Sequence, residues 1–355
     1  MINEDAIRKY LIENFKGIIN VNVKKLGSGV QGSGFLLELE SLEGVKSYVI
    51  KTLLSEGLGH DYPSDRASVF LLDLDEYKNL PKHVRAIDVL SEMHDGTIKS
   101  IGGGKEYYLL MEKAEGMNYF YDLNEFSRKN HIDAYDIKKI EIMTSYLAEI
   151  HSVRKDSKTL YWRKLRDTIG HGECLMGVLD TYPEGTLSYA RMSEIIKKSV
   201  DYIYQLKPLY KRLSQIHGDF HPGNIWFKES SSQISGVRST DFVLLDRSRG
   251  PWGEPADDIT ALTINYIFFS IKNYGDIRGS YLESLTLFFD EYIDKSKDVD
   301  ITKILAPFFA FRGVVVANPV FYPELTQEQR ELIFRFINNV LDSNDFDYQR
   351  VNDYL

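Results

Sequence analysis

Apolar and polar positions alternate in the first third of the chain and recur at helical spacing in the rest. Val21–Lys24 and Phe35–Glu40 alternate with period two on either side of a glycine-rich break, the pattern of a hairpin with a long loop. Lys46–Lys51 predicts a third strand. Pro63, Ser64 and Asp65 are start signals for a helix over 64–80, in which Ala67, Leu71, Leu74 and Tyr77 share one face before Pro81 stops it. Val84–Val89 and Tyr107–Met111 complete a predicted five-stranded, largely antiparallel sheet carrying that one helix.

After Gly116 the period changes. Asp136–Ser152 is amphipathic, with Ile140, Met143, Leu147 and Ile150 on one side, and Ser193–Leu213 and Gln327–Leu341 predict further helices. Asp257–Ile271 is apolar almost all round, which predicts a helix at the centre of a helical domain. Glu229–Gln233 reads as a polar loop between two strand-like pieces. The expected fold class is therefore α+β: residues 1–115 form a small β-rich N-lobe and residues 116–355 a larger α-helical C-lobe. The best candidate for a membrane span, Ile304–Phe321, is interrupted by Pro307, Arg312 and Asn318-Pro319, so it reads as a buried core segment and no membrane association is expected.

Composition narrows the partners. The 355 residues are 43% hydrophobic and 27% charged, a balance that builds a sizeable soluble core. A formal net charge of −9 argues against nucleic-acid and anionic-membrane partners and leaves room for a cationic small molecule. Cys174 is the single cysteine, which excludes an intrachain disulfide and a cysteine metal cluster. Met1–Tyr10 is charged where a signal peptide would be apolar, so a cytoplasmic location is expected.

Candidate chemistry begins with Gly27-Ser-Gly29-Val-Gln-Gly32-Ser-Gly34, between two strands. Such a stretch is able to lie over a triphosphate, because no Cβ keeps the backbone away; equally, it is a flexible hairpin. It lacks the strand-to-helix setting and the Gly-Lys-Ser/Thr ending of a P-loop. Lys51, at the end of the next strand, stands where a kinase holds the α- and β-phosphates. The specific signal is Ile216-His-Gly-Asp219-Phe-His-Pro-Gly-Asn224, an Asp followed five residues on by an Asn. Phosphoryl transfer needs a carboxylate to orient the attacking hydroxyl and accept its proton, and a neutral oxygen on the same loop to help hold Mg²⁺. Phe242-Val-Leu-Leu-Asp246 then supplies an apolar strand ending in a second carboxylate, the expected main Mg²⁺ ligand. Asp257 and Asp258 open the central helix; one of them is expected to accept hydrogen bonds from the loop's amides, the alternative being a simple helix cap. His221 is expected to shape the loop, and Cys174 to act as a small buried hydrophobe.

His217-Gly-Asp-Phe-His-Pro-Gly-Asn224, with Leu147-Ala-Glu-Ile-His-Ser152 before it, resembles the catalytic loop and preceding helix end of the aminoglycoside phosphotransferase and choline kinase family. The resemblance spans about residues 20–340 and implies a two-lobed protein-kinase-like fold. It implies ATP and Mg²⁺ as cofactors and a small-molecule hydroxyl acceptor such as an aminoglycoside, amino sugar, choline-like compound or amino acid. It casts Asp219 as the catalytic carboxylate, Asn224 and Asp246 as Mg²⁺ ligands, and Lys51 as the phosphate contact beneath Gly27, Gly29, Gly32 and Gly34. Glu112, Lys113 and Ala114 become the adenine-binding hinge, and residues 153–215, with Trp162, Arg163, Arg166, Asp167, His171, Glu173 and Asp180, part of the acceptor pocket. A helix carboxylate should pair with Lys51: Asp75 is expected, with Glu76 in reserve and Asp73 nearby. Arg-Ser-Arg-Gly after Asp246, where Phe-Gly is common, departs from the pattern. A stress-response type of protein Ser/Thr kinase and a non-catalytic nucleotide-binding module are the alternatives. The first would carry a long activation segment and an Arg at position 218, where this chain has Gly; the second would lack at least one of Lys51, Asp219, Asn224 and Asp246.

Overall fold

The structure is a computed structural model of the 355-residue chain, and it describes residues 2–28, 32–55, 58–76, 84–104, 111, 113–231, 238–247 and 249–355. The chain divides into two compact units, Met1–Met111 and Glu112–Leu355. Strands concentrate in the first and helices in the second, so the fold is α+β.

In the first unit, helix α1 (Glu4–Asn14) starts at Asn3, whose side chain accepts from the Ala6 amide. It lays Ile7 and Leu11 on Val21, Leu37 and Leu39 of a three-stranded antiparallel sheet, β1 (Ile18–Ser28), β2 (Gly32–Ser41) and β3 (Gly44–Leu53), in the order β1-β2-β3. Alternation does the sorting: Asn20 and Asn22 on β1 instead bond Glu40 and Glu38 of β2 on the wet side. The strands run through most of the glycine-rich stretch, pairing Gly27 with Gly34 and Ser28 with Ser33, so the connection is far shorter than the long loop expected; Gly29 lies outside the described residues. Helix α2 (Pro63–Glu76) follows.

Residues 84–89, expected as a strand, are irregular. In this segment the Asp88 carboxylate takes one amide that a ladder would use, accepting from Val89 N at 2.8 Å, and it also accepts from Ser100 Oγ at 2.7 Å and Tyr10 Oη at 3.1 Å. A short hairpin, β4 (Leu90–Glu92) with β5 (Ile98–Ser100), forms just beyond. Tyr107–Leu110 lie outside the described residues.

The second unit opens with β6 (Met117–Asn118), α3 (Phe120–Phe126) and α4 (Ala134–Ser152), the last begun by a reciprocal cap between Asp133 and Asp136. Helices α5 (Lys158–Gly170), α6 (Leu175–Leu179) and α7 (Tyr189–Leu206) follow. The helix expected to reach Leu213 stops at Leu206, because Pro208 has no amide to donate and the chain tightens into a 3₁₀ turn, Lys207–Arg212. Then come β7 (Ser214–Gln215), the hairpin β8 (Ile225–Ser231) and β9 (Arg238–Leu244), and β10 (Trp252–Gly253), which pairs with β7. Helix α8 (Ala256–Tyr274) is buried on all sides from Ala256 to Ile271 and ends at Gly275, whose φ of +77° suits a residue without a Cβ. It packs among α9 (Gly279–Ser296), α10 (Ala306–Val316) and α11 (Gln327–Leu341). Among the described residues no helix is long and apolar enough to cross a membrane; the apolar run of 304–321 is α10 and its flanks, largely buried from Ile304 to Asn318, with Val320 and Phe321 exposed.

Candidate active site

The segment 216–224 is fixed from three directions. Behind it, β7 pairs with β10, and Ile216 N donates to Pro251 O at 3.0 Å. Beneath it, the carboxylate of Asp258 on α8 accepts from His217 N at 2.8 Å and Gly218 N at 2.7 Å, one oxygen each. Asp258, not Asp257, is therefore the carboxylate that holds the loop amides. His151 at the end of α4 adds a bond to Asp258 at 3.2 Å and one to Tyr292 Oη at 2.8 Å. On the third side, the Arg247 guanidinium donates to Ile216 O at 2.8 and 3.1 Å. Thus the Arg that stands where Phe-Gly is common clamps the loop. Gly218 has a φ of +88°, and a Cβ there would come within 3.3 Å of Gly250 O, so the chain turns where an Arg would be strained.

This frame presents Asp219, which is 8% exposed. Its Oδ1 accepts from Arg312 Nη1 on α10 at 2.5 Å and from Arg249 Nη1 at 3.2 Å, while its Oδ2 lies 3.8 Å from His221 Nε2. Burial pushes the carboxyl up, yet the two guanidinium groups outweigh it and hold Asp219 below the ordinary carboxylate range. The group is an anion at neutral pH, suited to orienting a hydroxyl. His221 is depressed by burial, which its attraction to Asp219 does not offset, so a neutral ring shapes the turn by accepting from Gly223 N at 3.1 Å.

Asn224 ends the same loop. Its Nδ2 donates to Asp219 O at 3.0 Å, which turns the amide so that Oδ1 is the atom left to accept. Leu245 N donates to Asn224 O at 3.0 Å, tying the end of β9 to the loop just before Asp246. Asp246 is exposed and takes a φ of +53°, a left-handed bend uncommon outside glycine. Among the described residues no cluster of three His, Cys, Asp or Glu side chains forms a metal site. Mg²⁺ seldom uses one: it takes one or two protein oxygens and completes its shell with water and phosphate. An amide oxygen and a carboxylate anchored to one loop fit that demand.

In the first unit, Gly34 pairs in register with Lys51, and Gly32 passes so close to β3 that a Cβ would sit 1.8 Å from Thr52 O. Lys51, 58% exposed, faces Asp73 at 4.0 Å. The expected partner was Asp75; two residues along a helix turn a side chain through about 200°, so the register puts Asp73 on the lysine's side instead. Glu112 lies outside the described residues, and Ala114 is half-buried just before β6.

Lys164 and Arg312 went unrecognised in the sequence as site residues. Asp257 accepts from Lys164 Nζ at 2.6 Å and from Arg312 Nη2 at 2.7 Å, and these two cations, against a large burial penalty, hold it at about 2. From the insert, Trp162 donates to Lys207 O at 3.0 Å and Arg163 pairs with Asp167 at 3.2 Å. Helix α5 sends Lys164 inward, and the turn after it brings exposed Glu173 to 3.9 Å from Arg249. Cys174 is buried, and burial pushes its thiol up to about 11, in keeping with an inert packing role.

No family model matches the chain, and no curated protein matches it. Among solved structures, a glucosamine kinase aligns at a TM-score of 0.40 and 12% identity over 88% of this chain and 92% of its own. Plasmodium vivax ethanolamine kinase aligns at 0.33 and 12% identity over 97% and 83%, and an aminoglycoside 2'-phosphotransferase-IIIa in complex with GDP at 0.32 and 13% over 98% and 95%.

Proposed function

We propose that the protein is an ATP- and Mg²⁺-dependent phosphotransferase of the two-lobed, protein-kinase-like type, acting on a hydroxyl of a small molecule. One observation carries the reading. A single buried loop, pinned through two amides to Asp258, presents a carboxylate kept ionised by arginines together with an asparagine whose amide oxygen is left to accept. In this reading Asp219 aligns the acceptor's O–H toward the γ-phosphorus and takes its proton as the new O–P bond forms and the bond to ADP breaks. Asn224 Oδ1 and Asp246 would hold Mg²⁺, which neutralises phosphate charge when bound. Lys51 and the Gly27–Gly34 stretch are the proposed phosphate contacts, with Glu112 and Ala114 at the hinge.

The protein-kinase alternative is less well supported. Between Asp246 and α8 the short chain is spent on the Arg247 clamp and on β10, and the Asp219 anion meets Arg312 and Arg249 from within the unit. No switch segment awaiting a phosphate is needed.

Calorimetry with Mg·ATP, then ADP release with a panel of amines, sugars and aminoglycosides, tests the reading. Asp219→Asn should cut kcat by roughly 10²–10⁴-fold at nearly unchanged ATP affinity, whereas Asp246→Asn should weaken both. Absence of Mg·ATP binding, or an Asp219→Asn enzyme with normal kcat, would overturn it.

A further inference from the structure

The strongest feature outside the loop is a chain of buried charges that crosses the second unit. Lys164 on α5 binds Asp257 Oδ2; Asp257 Oδ1 binds Arg312 Nη2; Arg312 Nη1 binds Asp219 Oδ1. Arg312 Nη2 also donates to Gly218 O at 3.0 Å. Resting on the phosphotransferase reading, we propose that Arg312 is a positioning residue for Asp219, the inner link of a relay that runs from the insert helix α5 to the reacting carboxylate.

The geometry argues for positioning over mere charge balance. A carboxylate at the end of a two-bond side chain swings unless something fixes an oxygen. Arg312 fixes Oδ1 and grips the backbone carbonyl one residue earlier, so carboxylate and loop share one rigid fork. The fork is itself immobilised: α10 is buried on nearly every side, Phe311 lies 4.5 Å beneath the guanidinium carbon, and Asp257 holds the far nitrogen. Among the described residues Oδ2 of Asp219 has only the longer approach of His221, which makes it the oxygen available to an acceptor hydroxyl. Arg249 does not duplicate this work, since its bond to Oδ1 is longer and it contacts neither Gly218 O nor Asp257. A lysine at 312 would keep the charge but lose the planar, two-sided fork.

The test compares wild type, Asp219→Asn, Arg312→Lys and the double variant. ADP release is followed with Mg·ATP and, in turn, water, choline, ethanolamine, glucosamine and kanamycin as acceptor. Arg312→Lys should lower kcat by about 10²-fold while the KM for Mg·ATP stays put, because a small misplacement of a reacting group costs on that scale and no nucleotide contact is lost. In the Asp219→Asn background the same substitution should cost nothing further, since its effect passes through Asp219. A normal kcat in Arg312→Lys, or an equal loss in both backgrounds, overturns the inference and leaves the phosphotransferase reading intact. A wild type that neither binds Mg·ATP nor releases ADP with any probe overturns both. Should Arg312→Lys lose its cooperative melt, the paired Lys164→Gln/Asp257→Asn variant takes its place. That pair removes the outer anchor and leaves Arg312 on Asp219, so a smaller fall in kcat at constant KM is expected and an unchanged kcat overturns the relay.

Discussion

Asp258→Asn isolates what holds the loop in place. The substitution keeps the volume of a fully buried side chain, so no cavity opens and the change is confined to hydrogen bonding. The native carboxylate receives two amides, at 2.7 and 2.8 Å, and His151 at 3.2 Å. Asparagine offers one acceptor oxygen, so its NH₂ must face either Gly218 N or His217 N and His151, donor against donor. An unsatisfied buried donor costs about 1–3 kcal/mol, and weakening the remaining charge-assisted bond to a neutral one removes about 1 kcal/mol more, for a total near ~3 kcal/mol. Native stabilities are about 5–15 kcal/mol, so the variant folds but is visibly weakened. In urea the midpoint should drop by ~1 M at unchanged m, with kcat reduced because Asp219 and Asn224 share the loosened loop. A loss below ~1 kcal/mol would refute the reasoning, since it would mean that the two amides find other partners without Asp258.

Two further outcomes are expected. Asp257 is held at about 2 against the ordinary 3.8, so it stabilises the fold fully above the ordinary value and loses that contribution as pH falls from there through about 2, a difference of about 2 kcal/mol. Urea midpoints from about pH 5 to about pH 3 should therefore fall more steeply in wild type than in Asp257→Asn, and parallel slopes would contradict the pairing with Lys164 and Arg312. Gly32→Ala drives a Cβ against the backbone at Thr52 O, whereas at Gly34 the nearest atom is a Val49 methyl at 3.9 Å. Gly32→Ala should lower stability by roughly 1–3 kcal/mol in thermal melts, and Gly34→Ala should be tolerated; equal melting of the two variants would be the contrary result.

Local chemistry was legible and tertiary register was not. Periodicity located α4 and α11 to within a few residues, because each buries a face that the sequence must supply as an apolar stripe, and the all-round apolar character of α8 located that helix. Periodicity overran at Leu206, where the stripe continues but Pro208 cannot, and it placed a strand at 84–89, where the pattern alternates but the segment is irregular and Asp88 takes the Val89 amide. The order Asp219, Asn224, Asp246 could be read because one short loop carries two of them and the third follows just beyond the end of β9. The partner of Lys51 could not be, since Asp73 and Asp75 lie on opposite sides of one helix and only the packed structure decides which faces the strand.

Arg312 shows what kind of signal was present and passed over. In the sequence it interrupts an apolar run and serves only to argue against a membrane span. Yet a cation placed inside α10, among Phe308, Phe309, Phe311 and Val314, must find an anion or go unpaid for several kcal/mol of lost hydration. Two carboxylates that were already candidates, Asp219 and Asp257, lie elsewhere in the same unit's sequence, and neither had an assigned cation. Each unpaired buried charge therefore implied the other. The same logic applies to Lys164, which sits at a buried position of α5 among Tyr161, Leu165 and Thr168 and whose partner is the remaining oxygen of Asp257. A charge on the apolar side of a helix is thus a statement about a distant residue, and pairing such charges by sign recovers contacts that neither periodicity nor motif spacing contains.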